Sequence, residues 1–417
     1  MVTAPGPATA GPVTALRVRP GVDPMPWLRG LWSRGTTVLL VADALPDAAK
    51  AAMLSASGAR ELLDAAGNTP PAPMGTPLRA DSHPGSAGVL VATSGSSGAP
   101  RLVELSLAAL VASAVRGAAA VPFGPGDTWH ASLAPHHVGG LMLHVRAAVL
   151  GGGVRHAALP RTWADLDGCT HASLVAAQLA RLLEDRADPP RTLTALMLGG
   201  GPSPSTLRRA AIARGLPLFV TYGMTETASQ VATCRPMADD ADTLAGPPIP
   251  GVQARVDAAS ADGTGELSID GPVLARAVID GGRRVAVPRP YPTRDAGFID
   301  ASGRVHVVGR LDAVINSGGR KIHPEAIERA LCSIPGVRAA CVVAVRHPRW
   351  GERPAAFVDA SGLDAGAIER ALRAVREPHE VPDAFLRMPS EEAGALKPSR
   401  ARLAARLASG ERFDAVI

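Results

Sequence analysis

The chain has 417 residues, 46 % of them hydrophobic and only 3 % aromatic. That is enough apolar material for two or three packed domains, and it excludes a disordered chain. The formal net charge of +5 comes from scattered Lys and Arg, with no dense basic run and no basic stripe interleaved with aromatics, which argues against a nucleic-acid binder. No apolar run reaches bilayer length, so no membrane span is expected, and the N-terminus lacks the charged start and apolar core of a signal peptide. Cys169, Cys234, Cys332 and Cys341 form no C-x-x-C, the pattern of reduced, buried thiols in a soluble cytoplasmic protein.

Residues 1–20 are rich in Ala, Pro and Gly and read as loosely held. The run 37–42 (TVLLVA) predicts a buried strand with a helix after it, and the proline-rich stretch 68–85 an irregular connection. A second buried strand is expected at 88–93, running into a loop of Ser and Gly. Ser106 is placed to cap a helix reaching about residue 119, and apolar spacing predicts another helix over 174–184. Short buried strands at 196–198 and 218–221 end in glycine-bearing loops, where α/β folds place ligands. Residues 246–310 change character to short β runs broken by Gly and Asp, predicting a small antiparallel subdomain. Beyond Arg310 the pattern is helix 324–334, strand 339–345, strand 355–359 and helix 364–375. The predicted fold class is therefore α/β: a large layered N-terminal domain over 1–309 with a β-rich subdomain, then a small α+β domain over 310–417.

The most telling segment is Thr93-Ser94-Gly95-Ser96-Ser97-Gly98-Ala-Pro-Arg101. Glycines let successive backbone N–H groups turn toward an anion, short hydroxyls add donors without bulk, and the terminal cation suits a polyphosphate. It is not a Walker loop, because G-x-x-x-x-G-K-[ST] is absent and 102–105 reads as a strand rather than a helix. Taken alone it is equally a flexible hairpin turn.

The segment resembles the phosphate loop of the adenylate-forming superfamily, which includes acyl-CoA synthetases, luciferases and peptide-synthetase adenylation domains. That loop commonly reads T-S-G-[ST]-[ST]-G-x-P-K, so Arg101 stands here for lysine. Further motifs follow in the family's order. Thr221-Tyr-Gly-Met-Thr-Glu-Thr227 resembles its second signature, which implies Tyr222 against adenine, Thr225 toward a phosphate and Glu226 toward Mg²⁺. Gly199, Gly200 and Gly201 match the stretch that forms a face of the adenine pocket. Tyr291-Pro-Thr-Arg-Asp295 matches [YW]-x-T-G-D, with Arg294 in place of glycine and Asp295 implied to hold the ribose hydroxyls. The stretch 309–325 resembles the junction of the two domains. Arg310 is implied to reach ribose or phosphate, Asp312 to sit at the hinge of a mobile C-terminal domain, and Gly318 and Gly319 to border the pantetheine arm. Lys397 takes the place of the C-terminal catalytic lysine, with Leu396 before it where glycine is usual.

Three stretches resemble the o-succinylbenzoate–CoA ligases of menaquinone biosynthesis: 133–146, 172–181 and 224–233. By that resemblance His137 lies before the helix walling the acyl pocket, Arg146 answers the second carboxylate of a diacid, and Ser229 and Gln230 line the same pocket. On residue type alone, a structural histidine and a solvated helix arginine are equal readings of His137 and Arg146. The implied activity is an AMP-forming acid–CoA ligase using ATP, Mg²⁺ and coenzyme A. The alternatives are a ligase for another acid or for a carrier protein, and a nucleotide-binding protein that has lost catalysis; the oligomeric state is left open.

Overall fold

The computed structural model describes residues 11–66, 78–79, 85–93, 101–201, 203–393 and 398–416. Ser94, Gly95, Ser96, Ser97 and Gly98 of the hydroxyl-rich loop, and Leu396 and Lys397, lie outside the described residues.

Two sheets form the large part of the molecule. The first has seven strands in the order Arg283–Ala286, Ala277–Asp280, Arg101–Ser106, Gly88–Thr93, Thr37–Ala42, Val13–Val18 and Leu62–Asp64. Thr37–Ala42 is buried at every position, as a strand covered on both faces must be. The second has six strands, with Leu218–Met224, Ala195–Leu198, His171–Leu174 and Thr128–Ala131 parallel at its centre. Strands at 37–42 and 88–93 have the predicted bounds. The helix expected over 174–184 starts later, at Ala176, because Leu174 ends a strand.

Helices Leu107–Ala120 and Val138–Leu150 lie against these sheets. Ser106 caps the first, its Oγ accepting from Ala109 N at 3.0 Å; Ser106→Ala should lower stability by about 1 kcal/mol in a denaturant titration. The second is apolar on nearly all sides. Leu141, Met142 and Val145 join the core of the seven-stranded sheet, and Leu143 joins Trp129, Met197 and Phe219 against the six-stranded one. A helix held between two sheets should be hydrophobic all round. His144 and Arg146 are its exceptions, and both are buried.

The β-rich subdomain expected over 246–310 is a five-stranded antiparallel sheet built from Leu244–Gly246, Gln253–Asp257, Gly265–Asp270, Tyr291–Ile299 and Val305–Arg310. One part of that expectation is corrected. The hairpin 277–286 leaves this sheet and extends the seven-stranded one, Val278 pairing with Val103. Its buried residues Ala277 and Ile279 and the ion pair of Arg284 with the fully buried Glu104 (2.7 Å) account for the switch.

The C-terminal part has its own sheet, Arg320–Ile322, Ile315–Ser317, Gly351–Ala360 and Val337–His347, with Phe385–Arg387 added alongside. Helices Pro324–Cys332 and Ala365–Arg373 cover it. Ile315, Ile327, Leu331, Val342, Val358 and Ile368 belong to one apolar cluster that contains no residue before Ile315. Arg329 donates to Val308 O at 2.9 Å across the junction. A Cβ on Gly309 would stand 2.6 Å from Glu325 Oε2, so the two parts touch through a glycine.

Candidate functional site

The hydroxyl-rich loop is strung between antiparallel strands. Thr93 pairs with Arg101, and Thr93 Oγ1 donates to Arg101 O at 3.5 Å. The strand expected at 102–105 is present, so the contrast with a strand–helix Walker loop holds. Arg101 lies 3.7 Å from Asp280 Oδ2 and is one-third exposed, a loose pairing that leaves its charge available to a ligand.

Beside it, the ends of three other strands converge. Tyr222 donates to Asp295 Oδ2 at 2.6 Å, and Arg310 donates to Asp295 Oδ1 at 3.3 Å and to Thr293 O at 3.0 Å. Burial and the neighbouring Asp295 charge hold the Tyr222 hydroxyl well above its usual range, so it is a firm donor. Each carboxylate oxygen of Asp295 accepts one of these bonds, and one carboxylate has the chemistry to accept from both hydroxyls of a vicinal diol. Arg310 also pairs with Asp312 at 2.7 Å, which holds the Asp312 carboxyl below its usual range. Glu226 lies against the Tyr291 hydroxyl, which burial and then the Glu226 charge push upward. Glu226 makes no salt bridge among the described residues, so its charge can face a cation. Thr225 opens a short 3₁₀ turn, but Thr227 supplies the cap, accepting from Met224 N at 3.1 Å.

Glycine matters at two places here. A Cβ on Gly199 would stand 2.7 Å from the Thr221 methyl, which brings the Gly199–Gly200–Gly201 turn onto the strand carrying Tyr222. Arg294, where the resembling motif has glycine, keeps a left-handed backbone with φ 63°. The turn that aims Asp295 therefore survives the departure at a steric cost. Arg294→Gly should raise stability by roughly 0.5–1 kcal/mol, the relief of left-handed strain less the entropy of glycine, measured by denaturant unfolding.

A second group adjoins the first. Arg146 is 4 % exposed and donates to Gln230 Oε1 at 2.6 Å. Gln230 Nε2 donates to Thr233 Oγ1 at 2.9 Å, and Thr233 donates to Thr221 Oγ1 at 3.0 Å, which ties the group to the Tyr222 strand. The guanidinium lies 5.4 Å from the Trp129 ring centroid. Among the described residues Arg146 forms no ion pair. Burial pushes its pKa down to about 10, which still leaves it charged at neutral pH. The solvated reading of Arg146 is thus overturned. Ser229 enters through its backbone: it has φ 90°, and its carbonyl accepts from Thr227 Oγ1 at 3.3 Å. His137 caps Val138–Leu150 with extended backbone and no side-chain bond, its ring 4.2 Å from that of His136. Loss of hydration lowers the pKa of both rings, that of His136 to about 4, so His136 carries no charge at neutral pH.

In the C-terminal part, Gly318 and Gly319 form a two-residue hairpin with φ 57° and 83°, and a Cβ on Gly318 would stand 2.7 Å from the Trp350 ring. This turn chemistry explains the pair locally. A cavity of about 80 Å³ runs between the two parts, with Gly200, Gly201 and Val175 on one side and Cys332, Ala393 and Pro398 on the other. It reaches the glycine turn but is not lined by Tyr222, Glu226 or Asp295. Ala393 and Pro398 flank Lys397, and the buried Glu392 accepts from Ser399 N at 2.7 Å, tying the two flanks together.

Sequence reasoning missed three participants. Tyr291 stood inside a quoted motif without a role. Thr233 links the two groups, and a Cβ on Gly117 would collide with Gln230 Oε1, so that helix glycine makes room for the amide. Tyr291 and Thr233 lay within stretches of recognisable resemblance, whereas Gly117 carried no signal in the chain.

A family model for AMP-binding enzymes matches residues 33–278, and one for the C-terminal domain of AMP-binding enzymes matches 326–393. A 2-succinylbenzoate–CoA ligase of Bacillus cytotoxicus is 35 % identical over 292 residues, 66 % of this chain and 60 % of the relative. One of Salmonella typhimurium is 35 % identical over 317 residues, 75 % of this chain and 67 % of the relative. The chain thus spans about 60 % of the length of the first of these relatives. A structure of an E. coli MenE variant with bound OSB-AMS is 27 % identical, with a TM-score of 0.80 covering 95 % of this chain and 88 % of that one. Among the described residues no helix is long and apolar enough to cross a membrane.

Proposed function

This chain belongs to the family of AMP-binding enzymes, and on that premise we propose that it is an AMP-forming ligase joining o-succinylbenzoate to coenzyme A, a step of menaquinone biosynthesis. The observation that carries the reading is the charged Arg146, buried beside Gln230 without an anionic partner among the described residues and tied by hydrogen bonds to the Tyr222–Asp295 group. A buried cation without a counter-charge is costly to keep, and a second substrate carboxylate would supply one.

In the first half-reaction a substrate carboxylate oxygen attacks the α-phosphorus of ATP, the bond to pyrophosphate breaks, and an acyl-adenylate forms. Asp295 accepts from the ribose hydroxyls, Tyr222 holds Asp295, and the Thr93–Arg101 loop receives the pyrophosphate. Mg²⁺ delivered with ATP supplies charge neutralisation at the phosphates. Glu226, half-buried and without a salt bridge among the described residues, fits an ion that takes one or two carboxylates plus phosphate oxygens and water. Lys397 neutralises charge at the α-phosphate. In the second half-reaction the coenzyme A sulfur attacks the acyl carbon, AMP leaves, and the thiol proton passes to solvent. The domain boundary at 309/310, rotation about Asp312, and passage of the pantetheine arm by Gly318 and Gly319 belong to this proposal. The apolar cluster beginning at Ile315 supports the boundary.

The test is a reaction with ATP, Mg²⁺, coenzyme A and o-succinylbenzoate, with mass detection of the thioester. Thioester from other acids but not this one would overturn the substrate. ATP–pyrophosphate exchange absent with every acid, while ATP still binds, would favour a nucleotide-binding protein without catalysis, the reading that Arg101, Arg294 and Leu396 invite. A finer check uses Gly117→Ala. Its methyl group displaces the Gln230 amide, so KM for the acid should rise about tenfold while KM for ATP stays within about twofold.

A further inference from the structure

Away from this site, three side chains distant in the chain converge: Asp23 before helix Met25–Trp32, His144 on Val138–Leu150, and His156 at the end of strand Gly153–His156. Each offers one ligand atom, and the three atoms lie within 4.8 Å of one another. We propose that they form a binding site for a divalent transition-metal ion of the zinc type. His144 is 2 % exposed, and its buried Nδ1 faces Asp23 Oδ1 at 3.3 Å, a long pairing. That is a buried polar atom aimed into the cluster. Ligand atoms held about 2.0–2.1 Å from a tetrahedral ion stand roughly 3.3–3.4 Å apart, so this pair already has the spacing of two ligands on one metal.

The His144 and His156 rings are stacked, with centroids 5.1 Å apart and an interplanar angle of 24°. His156 is half-buried, so a turn of its ring can close the remaining distance. Asp23 is anchored by accepting from Met25 N at 2.9 Å, and its side chain is 47 % exposed, which opens a path for the ion and leaves a fourth position to water. Two imidazoles and one carboxylate suit Zn²⁺ or Co²⁺. Mg²⁺ and Ca²⁺ demand oxygen-rich shells that this set cannot provide. The bound ion would tie the first helix and the 153–156 strand to the helix that carries Arg146.

The test uses the full chain, stripped with chelator, titrated with Co²⁺ and then with Zn²⁺. One equivalent of Co²⁺ with the visible bands of a four-coordinate N/O site is expected, displaced by Zn²⁺ with an upward shift of the thermal midpoint. His156→Ala and Asp23→Asn, both at accessible positions, should each weaken binding at least about 100-fold and abolish the shift. Their metal-free midpoints should match the parent chain, which separates lost binding from lost folding. No bound Co²⁺, or the same spectrum in both variants, would overturn the site. Thiolate charge-transfer bands would assign the ion to cysteine instead and overturn it equally.

Discussion

Lys397→Ala is expected to reduce acyl-adenylate formation by about 10²–10³-fold or more while leaving thioester formation from a supplied adenylate within a few-fold of the parent chain. Attack on the α-phosphate concentrates negative charge between the incoming carboxylate and the phosphate oxygens, and one ammonium group aimed there acts only in that step. Lys397 itself lies outside the described residues, but its flanks are informative. Ala393 and Pro398 line a cavity whose far wall includes Gly200 and Gly201, and Glu392 ties the flanks by accepting from Ser399 N. The two flanks are therefore tied to each other beside the glycine turn of the large domain. The two half-reactions are separated by ATP–pyrophosphate exchange on one side and by coenzyme A added to synthetic acyl-adenylate on the other. If both rates fell together, the lysine would have a general structural role and the alternating use of the small domain would have to be abandoned.

Arg146→Met is expected to lower kcat/KM for o-succinylbenzoate by about 10²–10³-fold, and that for a monocarboxylic aromatic acid by about tenfold or less. The same change should raise the thermal midpoint of the ligand-free protein. The opposite signs have one cause. Burial disfavours the charged guanidinium and pulls its pKa down to about 10, yet the folded protein carries it charged at neutral pH. An apolar side chain of similar volume removes that cost along with the anchor proposed for the diacid. Arg146→Lys keeps a cation but loses the planar fork shared with Gln230 and Trp129, so it should fall between the two. A lower midpoint in Arg146→Met with equal losses on both acids would make Arg146 a structural residue.

Legibility followed locality. The strands at 37–42 and 88–93 could be read to the residue because short apolar runs end abruptly in turn formers, and the Ser106 cap because its chemistry is contained in one turn. The hairpin 277–286 was misassigned because its sheet partner, Arg101–Ser106, lies far away in the chain, and alternation alone does not name a partner. Arg146 was recognisable as a candidate but not as buried. On a helix apolar all round, periodicity does not say which direction meets solvent, and over 140–146 none does. The contact between Tyr222 and Asp295 joins two motifs that were each readable, whereas Gly117 and Thr233 acquire meaning only once the strands beside them are packed. The turn at Arg294 shows the converse: residue identity departed from the motif, and the backbone kept its shape.

The segment between Thr93 and Arg101 hangs from a pair of antiparallel strands. A phosphate loop seated at the start of a helix draws part of its attraction from the aligned peptide dipoles behind it, a field largely shielded from mobile ions. A loop slung between strands has no such reserve and must rely on its own amides and on the partly exposed Arg101. The hold on the triphosphate proposed for it should accordingly slacken as ionic strength rises and the Debye length contracts.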